Sequence, residues 1–530
     1  MGVYVNPGNV PFRKALNSDI YIDKTDLISV TNTKIDKRNC FMCVSRPRRF
    51  GKSMAADMLA AYYSKGCDSK ALFAGRKAEK EETFPEHLNR HNVIRLDIQR
   101  FLETKRDLNT SVTEIERRVT AELIKEFPDC TDIDPDDRLK FVLEQIFVQT
   151  GEGFIFILDE WDCVFRIAKN HHEAQKNYLD FLRGLFKGSD YVELAYMTGI
   201  LPIKKYGEHS AINIFDEYSV IEPKNLGEYF GFTEEEVRGQ CVQHDVDYAE
   251  VERWYDGYLI GSQHIYNPKS VADVLVWKEF QSYWTGTETY EALKVYIDMN
   301  FDGLKEAIAG MLGKGSYKID PSTFQNDMTT FKTKDDVFTL LVHLGYLTYN
   351  RKNSEVSIPN QEIEQEFMRA IKVGGWDGVV EALNRSERLL QSTLALDEEA
   401  VAKGIAEIHN ETASMLQYNN ENSLTCTLLI AYYSARAYYI NPIMEMPSGK
   451  GFADVVYLPK RYMDFPALVV ELKWDKTAEG AISQIKEKNY ASWIEGYTGE
   501  ILLVGVNYER ERKLHTCVIE KYVKKGCNIQ

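Results

Sequence analysis

The chain has 530 residues, of which 44% are hydrophobic and 27% charged, which predicts a folded globular protein of two to four domains. Its formal net charge of -16 argues against a protein that coats nucleic acid through bulk electrostatics, because phosphate neutralisation needs clustered Lys and Arg, but local contact with nucleic acid stays open. The sequence has neither an apolar signal segment nor a run of eighteen uncharged apolar residues, so we expect a cytoplasmic protein without membrane spans.

The first 225 residues alternate short apolar strands with longer helical stretches, which predicts a parallel α/β sheet. Cys40 and Cys43 form a C-x2-C pair, but no second Cys or His pair follows at zinc spacing, so we interpret them as part of a buried strand. The nine cysteines are scattered along the chain and predict reduced thiols rather than a disulfide framework. The predicted strands are residues 41–44, 93–96, 154–158 and 193–197.

Residues 226–390 are mainly helical and predict a lid or linker domain, with Thr233 capping a helix that opens on acidic residues. Inside it, residues 335–360 indicate an apolar helix and two short strands around a polar turn at 352–354, the outline of a winged helix. Such a unit serves either DNA binding or packing, and we favour packing.

Residues 391–530 predict a compact α/β domain, so the whole chain is expected to be an α/β multidomain protein. Two helices come first. The elements that follow them are strands at 451–458 and 467–473, a helix at 481–490 and a strand at 500–506.

A phosphate-binding loop is predicted where the strand from Phe41 runs through SRPRRFGKS into a helix. Gly51 would let the backbone approach phosphates, Lys52 would reach the β and γ oxygens, and Ser53 would bind Mg2+. The regular motif G-x-x-x-x-G-K-[ST] has Gly at its first position, where this chain has Arg46. Taken alone, the loop is also compatible with a basic surface loop.

A second nucleotide-binding signal lies about a hundred residues further on, where the apolar strand FIFIL ends in two carboxylates. Asp159 would hold Mg2+ through water and Glu160 would polarise the attacking water, as in a Walker B strand. The two signals together predict ATP binding with Mg2+. Thr198 ends a third strand where P-loop ATPases place a γ-phosphate sensor, although a strand-terminating turn explains it nearly as well.

These motifs resemble the AAA-ATPase-like family of bacteria over about the first 280 residues. The resemblance is carried by SRPRRFGKS, LDEWD, TGILPIKKYG, YFGFTEEEV, WYDGY and IYNPKSV. It implies that Arg46 belongs to the family's own form of the loop and that the protein assembles into homo-oligomers. Arg46, Arg48 and Arg49 are expected beside the phosphates, where they could act in cis or hold the loop. We interpret WYDGY and YNP as packing and turn residues.

A cluster of charged residues is predicted in the C-terminal domain. Asp454 lies near the start of one strand and Glu471 near the end of the next, so an antiparallel pairing would bring them side by side. Glu471 and Lys473 would project from one face of the apolar strand LVVELK. Two carboxylates and an ammonium suit metal-dependent phosphodiester hydrolysis, in which both carboxylates bind the metal. A surface salt bridge between Glu471 and Lys473 is the alternative.

These residues resemble the PD-(D/E)XK nuclease superfamily, loosely over residues 391–510. The resemblance implies that Asp454, Glu471 and Lys473 form the central motif, with Mg2+ or alternatively Mn2+ as the metal. Gln484 and Tyr490 match the Q-x6-Y helix, and Gln484 is expected to contact the site. Glu421 fits the upstream acidic position as a further metal or water ligand, or serves as a helix N-terminal carboxylate; Glu445 is a weaker candidate.

The sequence therefore predicts an ATP-binding, ATP-hydrolysing protein with a metal-dependent nuclease domain that cleaves nucleic acid, DNA in the first place, under nucleotide control. The rival hypothesis is a nucleotide-dependent switch or scaffold whose nuclease-like domain binds DNA or a protein partner without cleavage. The expected domains are an ATPase-like domain at 1–225, the helical lid at 226–390 and the nuclease-like domain at 391–530.

Overall fold

The computed structural model divides into two compact units, Met1–Ala370 and Ile371–Gln530. The first unit contains residues 1–225 and 226–370, and the second contains 371–390 together with 391–530; the division into three domains stays a prediction. The structure describes residues 2–103, 110–168, 171–203, 212–284, 293, 303–312, 316–324, 331–373, 377–415, 428, 431–440, 442–444, 454–460, 465–487, 497 and 499–522.

A five-stranded parallel sheet forms the centre of the first unit, with strand order β2-β3-β4-β1-β5. The sequence predicted the first four strands, and each is one to three residues longer than expected; the short, polar β5 was not predicted. The strands are β1 (Phe41–Ser45), β2 (Asn92–Asp97), β3 (Phe154–Asp159), β4 (Val192–Gly199) and β5 (Asp216–Tyr218).

Apolar side chains cover both faces of this sheet because neighbouring residues of each strand point to opposite sides. Cys40 and Cys43 are buried here, as expected of a buried strand. The helices up to the end of the sheet are α1 (Val10–Leu16), α2 (Leu27–Asn32), α3 (Lys52–Tyr63), α4 (Lys70–Phe73), α5 (Phe84–His87), α6 (Ile98–Glu103), α7 (Ser111–Glu126), α8 (Leu139–Thr150), α9 (Cys163–Ile167) and α10 (His172–Phe186).

The rest of the first unit is mainly helical, as predicted. Its helices are α11 (Glu234–His244), α12 (Tyr248–Tyr255), α13 (Pro268–Trp277), α14 (Leu304–Leu312), α15 (Lys334–Leu344) and α16 (Gln361–Val373). Thr233 begins α11 with a capping box in which its hydroxyl and the Glu236 carboxylate each accept a backbone N–H of the other residue. Residues 371–373 of α16 already belong to the second unit.

Two small antiparallel sheets accompany these helices. One contains β6 (Phe232–Thr233), β7 (Tyr258–Ile260) and β8 (Gln263–Tyr266), and the other β9 (Tyr317–Lys318), β10 (Thr348–Asn350) and β11 (Glu355–Ser357). The helix α15 followed by the β10–β11 hairpin is the helix and strand pair predicted for the winged-helix outline.

The second unit is built on a mixed sheet with strand order β12-β13-β14-β15-β16. β13 and β14 are antiparallel, whereas β14 and β15 are parallel and are joined through a helix. The strands are β12 (Ile443–Met444), β13 (Asp454–Tyr457), β14 (Ala467–Trp474), β15 (Ile501–Glu509) and β16 (Leu514–Tyr522), and the helices are α17 (Asp377–Leu394), α18 (Glu398–Met415) and α19 (Ala478–Glu487).

The two faces of this sheet carry separate apolar clusters. On one face, Leu468, Val470 and Leu472 of β14 share a cluster with residues of α17 and α18. On the other, Ala467 and Val469 share a cluster with residues of α19. Because side chains alternate along a strand, Glu471 and Lys473 of β14 lie on the α19 face.

Within the described ranges of both units, no helix combines the length and the apolar character that crossing a bilayer requires.

Candidate functional site

The P-loop, residues 46–51, connects the end of β1 to the start of α3. Its last residue, Gly51, has φ +85° and caps the helix in the left-handed conformation, which favours glycine. The free backbone N–H groups at the start of this twelve-residue helix form an anion-binding end. Strand, loop and helix therefore have the arrangement that the sequence predicted for phosphate binding.

Lys52 is buried, and its ammonium lies across the loop. Its Nζ donates to the carbonyl oxygens of Arg46 at 3.0 Å and Pro47 at 2.9 Å. Burial lowers the pKa of Lys52, while the nearby carboxylates of Glu160 and Asp159 raise it. The lysine is thus held by exchangeable carbonyl contacts next to the helix N-terminus, where a phosphate would compete for the same donor.

The Walker B carboxylates lie at the end of β3 beside β4. The Thr198 hydroxyl donates to Oδ1 of Asp159, which also accepts the backbone N–H of Glu160 at 3.1 Å. Glu160 itself has φ +53°, an uncommon conformation for a non-glycine residue. Asp159 and Thr198 therefore form one hydrogen-bonded polar unit, and their roles as magnesium ligand and phosphate sensor stay predictions.

Glu160 is part of an ion-pair network that sequence reasoning missed. Arg166 of α9 donates to Oε2 of Glu160 and, through Nε, to Oδ2 of Asp162 at 3.1 Å. Asp162 Oδ2 also accepts the backbone N–H of Leu201 at 2.9 Å. The second Asp of LDEWD, Asp162, could have been recognised as a candidate from the sequence. Arg166 could not, because its role depends on its position one helical turn after Asp162, in a helix of five residues that is too short to predict.

Burial shifts the pKa values in this network. Burial raises the pKa of Glu160, and the charge of Lys52 opposes this rise. Burial lowers the pKa of Arg166, but the carboxylates of Asp162 and Glu160 outweigh it, and the net shift is upward. A Glu with a raised pKa next to a firmly charged Arg is suited to accept a proton from water.

A cavity of about 990 Å³ opens in front of the P-loop. Six of the predicted site residues line it: Arg48, Arg49, Gly51, Lys52, Ser53 and Glu160. Ser53 is exposed there, so its hydroxyl is accessible to a ligand. The lining also includes the apolar and aromatic residues Ile20, Tyr21, Ile22, Tyr229, Phe232, Ala272, Val276 and Trp277, and the charged residues Asp19, Lys24, Lys269 and Asp273. A cavity lined by both charged and aromatic side chains fits a phosphorylated, ring-containing ligand.

Arg46 lies apart from this cavity, which differs from the expectation that it stands beside the phosphates. Its side chain is fully buried, and its guanidinium donates to the carbonyl oxygens of Ser45 at 2.8 Å, Tyr218 at 2.7 Å and Leu226 at 2.8 Å. It also lies over the ring of Phe230, 5.2 Å from the centroid. The residue that replaces the first glycine of the motif points into the fold and holds the loop.

Arg49 also makes protein contacts. Its backbone has φ +68°, and its guanidinium donates to the carbonyl oxygens of Tyr283 at 2.7 Å and Trp284 at 3.3 Å. Arg46 and Arg49 therefore hold the loop in this structure, and Arg48 and Arg49 both line the cavity.

Two further acidic residues lie near the predicted magnesium ligands and were missed. Asp97 ends β2 directly beside Asp159 in the parallel register, and Asp57 of α3 pairs with Arg95 at 2.5 Å. Burial raises the pKa of Asp57 to about 6, with Arg95 opposing it. Asp97 lies beside Asp159 because β2 and β3 are neighbours in the sheet, and the sequence alone does not reveal this strand order.

In the second unit, the predicted pairing of Asp454 with Glu471 is present. The two residues lie directly opposite each other in the antiparallel β13–β14 register. Lys473 Nζ lies 3.0 Å from Oε1 of Glu471. Glu471 is 0% exposed and Lys473 5%, so the pair is not the surface salt bridge that the alternative interpretation required.

Two residues of β15 border this pair and were not predicted. Gly505 is the register partner of Glu471, and Asn507 that of Lys473. A Cβ on Gly505 would lie 2.5 Å from the carbonyl oxygen of Ala478, so only glycine allows α19 to approach this closely. Asn507 is buried and accepts the backbone N–H of Lys476 at 2.9 Å. The sequence could have indicated Asn507, because it is a polar residue in an otherwise apolar strand, just as Glu471 is a charged residue in the apolar strand LVVELK.

The remaining predicted residues of this site are described only in part. Gln484 lies half-buried on α19, the helix that packs on the face of Glu471. Glu421, Glu445, Tyr490 and the side chain of Asp454 lie outside the described residues. Among the side chains that are described, no three His, Cys, Asp or Glu converge as metal ligands.

Comparison with protein families agrees with this division. Residues 11–207 match the family described as predicted AAA-ATPase, and residues 419–517 match the PD-(D/E)XK nuclease superfamily. The chain is therefore a fusion of a predicted AAA-ATPase domain and a C-terminal domain of the PD-(D/E)XK nuclease superfamily.

A relative of the same length class is an uncharacterized protein in the vnfD 5' region of Azotobacter chroococcum mcd 1. It is 23% identical over 517 residues, which cover 93% of each chain. The aligned length is great enough that it includes at least part of both matched domains of this chain.

Solved structures with some likeness have low scores. The Walker-type ATPase PABY2304 of Pyrococcus abyssi has 13% identity and a TM-score of 0.34, covering 65% of this chain and 94% of its own. The Aeropyrum pernix ORC2 protein has 10% identity and a TM-score of 0.24, covering 68% and 93%. TM-scores this low give no evidence on the fold beyond the parallel sheet already described.

Proposed function

We propose that this protein binds and hydrolyses ATP with Mg2+ in its first unit and cleaves DNA with a divalent metal in its second, under control of the nucleotide. The observation that carries the proposal is the cavity at the P-loop, where Lys52, Ser53 and Glu160 share one space of about 990 Å³. The buried Glu471–Lys473 pair opposite Asp454 supports the second activity.

In the ATPase half, each residue has a separate task. The α3 N-terminus and Lys52 would bind the β and γ phosphates, exchanging the loop carbonyls for phosphate oxygens. Ser53 and Asp159 would hold Mg2+, which neutralises phosphate charge. Glu160, whose pKa is raised by burial, would orient and deprotonate water. The aromatic lining residues Tyr229 and Trp277 would pack against the base and ribose.

In the nuclease half, the donor set fits a hard cation. Asp454 and Glu471 supply carboxylate oxygens, which Mg2+ and Mn2+ prefer, and the metal would polarise the scissile phosphate. Lys473, 3.0 Å from Glu471, would orient the attacking water and stabilise negative charge. Gln484 would contact the site from α19.

The nuclease assignment is tested by cleavage of plasmid, linear and single-stranded DNA with Mg2+ or Mn2+. We expect Asp454→Ala and Lys473→Ala to lose at least about 100-fold in rate. The matched control is Glu500→Ala, which removes an exposed carboxylate that pairs with Lys521 in the same unit and should leave the rate unchanged. Cleavage by Asp454→Ala at the wild-type rate would remove the assignment.

The ATPase assignment is tested by ATP binding and phosphate release. Lys52→Ala should abolish binding, whereas Glu160→Gln should bind ATP but hydrolyse it at least about 100-fold more slowly. Lys65→Ala is the control, because it removes only an exposed ion pair with Glu152. Equal binding by wild type and Lys52→Ala would exclude the P-loop as the site.

One observation favours a second candidate, a nucleotide-dependent switch that binds DNA or a protein without cleaving it. Glu471 and Lys473 are almost completely excluded from solvent, and a buried ion pair of this kind can be purely structural. Calorimetric titration with Mn2+ distinguishes the two: binding that is lost in Asp454→Ala supports the nuclease, and no binding supports the switch.

We also propose self-association of the ATPase units. Size-exclusion chromatography with and without ATP tests it; a monomer under both conditions would contradict it.

A further inference from the structure

Glu362 is a buried carboxylate for which the ATPase chemistry has no use. It lies near the start of α16 and is 0% exposed. Its Oε1 accepts the backbone N–H groups of Tyr283 at 2.7 Å and Trp284 at 2.9 Å, and the Ser270 hydroxyl lies 2.8 Å from Oε2. A carboxylate at this depth is retained only where several donors satisfy it, so Glu362 fixes the backbone at 283–284.

The same two residues bind the P-loop through their other polar groups. Residues 282–284, which we call the strap, present the carbonyl oxygens of Tyr283 and Trp284 to the Arg49 guanidinium at 2.7 and 3.3 Å. The Arg49 guanidinium therefore binds the C=O side of this backbone, while a carboxyl oxygen of Glu362, whose pKa burial raises to about 7, accepts hydrogen bonds from the N–H side. Hydrogen bonds to the charged guanidinium are the stronger ones, and the hydrogen bonds on the two sides of a peptide group polarise each other.

The strap has a second attachment to α16 and little room to move. Glu366, one turn after Glu362, accepts the Ser282 hydroxyl at 2.9 Å. A Cβ on Gly345, at the end of α15, would lie 2.8 Å from Pro47 and 2.9 Å from Trp284. The P-loop and the strap therefore both pack against Gly345, and there is no empty space there into which the loop could move.

Arg49 is also where the loop stores conformational strain. Its φ of +68° is unfavourable for a residue with a Cβ and is maintained by surrounding contacts. Without the strap, the loop would relax toward conformations that do not bind phosphate, and the apparent affinity would fall by the fraction of competent loop that is lost.

We propose that Arg49 and Glu362 are positioning residues that hold the P-loop in its binding conformation through the strap and couple nucleotide occupancy to α16. The coupling operates only if the first unit binds ATP, and so it rests on the function proposed above.

The first test is a double-mutant cycle on ATP affinity, measured by calorimetry on the full chain. Arg49→Ala and Glu362→Ala should each weaken binding by about tenfold, and the double variant should be no weaker than the weaker single variant, because both changes release the same strap. Arg238→Ala is the control: it removes an exposed ion pair with Glu234 on α11, so its affinity should equal that of wild type.

The second test follows α16 directly by amide hydrogen exchange. Saturating ATP should change the exchange of residues 361–373 in wild type and in Arg238→Ala, and the change should be absent in Arg49→Ala at ATP concentrations that saturate it. This measurement keeps the test open if Glu362→Ala folds poorly.

The outcomes separate the two levels of inference. Wild type that does not bind ATP contradicts the proposed function itself. Wild type that binds ATP while the two substitutions multiply their effects, or while α16 still responds in Arg49→Ala, overturns the link and leaves the ATPase assignment standing.

Discussion

Arg46 stands where the regular phosphate-binding motif has its first glycine, and its buried side chain holds the loop in place. Its charge lies in the core without a carboxylate partner among the described residues, and three carbonyl oxygens and the ring of Phe230 surround it. Burial lowers its pKa to about 9. The arginine binds the loop to the ends of β1 and β5 and to the segment at Leu226, so the loop has a fixed base before any nucleotide arrives.

We therefore expect Arg46→Ala to destabilise the first unit. Removal of the guanidinium leaves three carbonyls unsatisfied and a cavity behind, and we expect a loss of about 3–5 kcal/mol in the free energy of unfolding. Arg38→Ala, at an exposed position, should change it by less than about 0.5 kcal/mol. Urea unfolding followed by circular dichroism measures both. A variant of normal stability that binds ATP poorly would instead make Arg46 a phosphate ligand.

His343 of α15 predicts a pH dependence of stability. Burial, together with the charge of Arg46, lowers its pKa to about 3. The folded chain therefore keeps this histidine neutral while the unfolded chain takes up a proton below about pH 6.5. Between about pH 6.5 and pH 3 the unfolded state therefore binds more protons than the folded state. The contribution of neutral His343 to the free energy of unfolding is complete above pH 6.5, and it is lost as the pH falls toward 3, by at most about 1.4 kcal/mol per pH unit.

The measurement is the urea midpoint at pH 7.5 and pH 5.5 for wild type and His343→Phe. Phenylalanine keeps the stacking with Phe324 and removes the titrating group. We expect the midpoint of wild type to fall more than that of the variant between the two pH values. Equal falls would show that His343 is charged in the folded protein or that other groups dominate.

At the scale of elements, the sequence was sufficient where a pattern is local. Apolar runs predicted β1 to β4, β14 and β15, and capping and turn residues predicted α11 and the β10–β11 hairpin. β5 and β12 were missed because three and two residues, respectively, give no periodicity. The nine-residue β16, in which polar residues alternate with buried ones, carried a signal that we overlooked.

The residues of the two candidate sites can also be divided into those that a local pattern predicts and those that depend on distant partners. Motifs located Lys52, Ser53, Asp159, Glu471 and Lys473 because each carries its signal in its own neighbours. The inward direction of Arg46, the Arg166 network and the binding of Arg49 to the strap depend on residues that are up to 235 positions apart. No local pattern contains such pairings, since they arise only when the sheet order and the helix packing are known.

The junction between α12 and β7 provides a test at this scale. Gly257, in the WYDGY motif, has φ +109°, and a Cβ there would overlap the carbonyl oxygen of Pro359, just before α16. Gly257→Ala should lower the free energy of unfolding by roughly 3 kcal/mol through strain and overlap. Gly239→Ala in α11, where a Cβ meets no atom within 4 Å, should raise it by about 0.5–1 kcal/mol. Similar thermal midpoints for the two variants would contradict this account.

At the scale of the whole molecule, the chain combines a predicted AAA-ATPase domain with a domain of the PD-(D/E)XK nuclease superfamily. The buried carboxylates of Glu362 and Glu366 anchor the first part of α16 in the first unit. The proposed nucleotide control would appear as a coupling free energy between ATP binding and cleavage.

The corresponding prediction compares DNA cleavage in three forms of the full chain. Glu160→Gln should hold ATP without hydrolysis and therefore cleave at least as fast as wild type with ATP. Lys52→Ala should cleave at the nucleotide-free rate whether or not ATP is added. We expect these rates to differ by about tenfold, within the usual range of coupling between two sites. Gel assays with and without ATP measure them, and Arg238→Ala, which removes an exposed ion pair with Glu234, should behave as wild type. Equal rates in all forms would mean that the two units act independently, while loss of cleavage in all of them, wild type included, would instead remove the nuclease assignment.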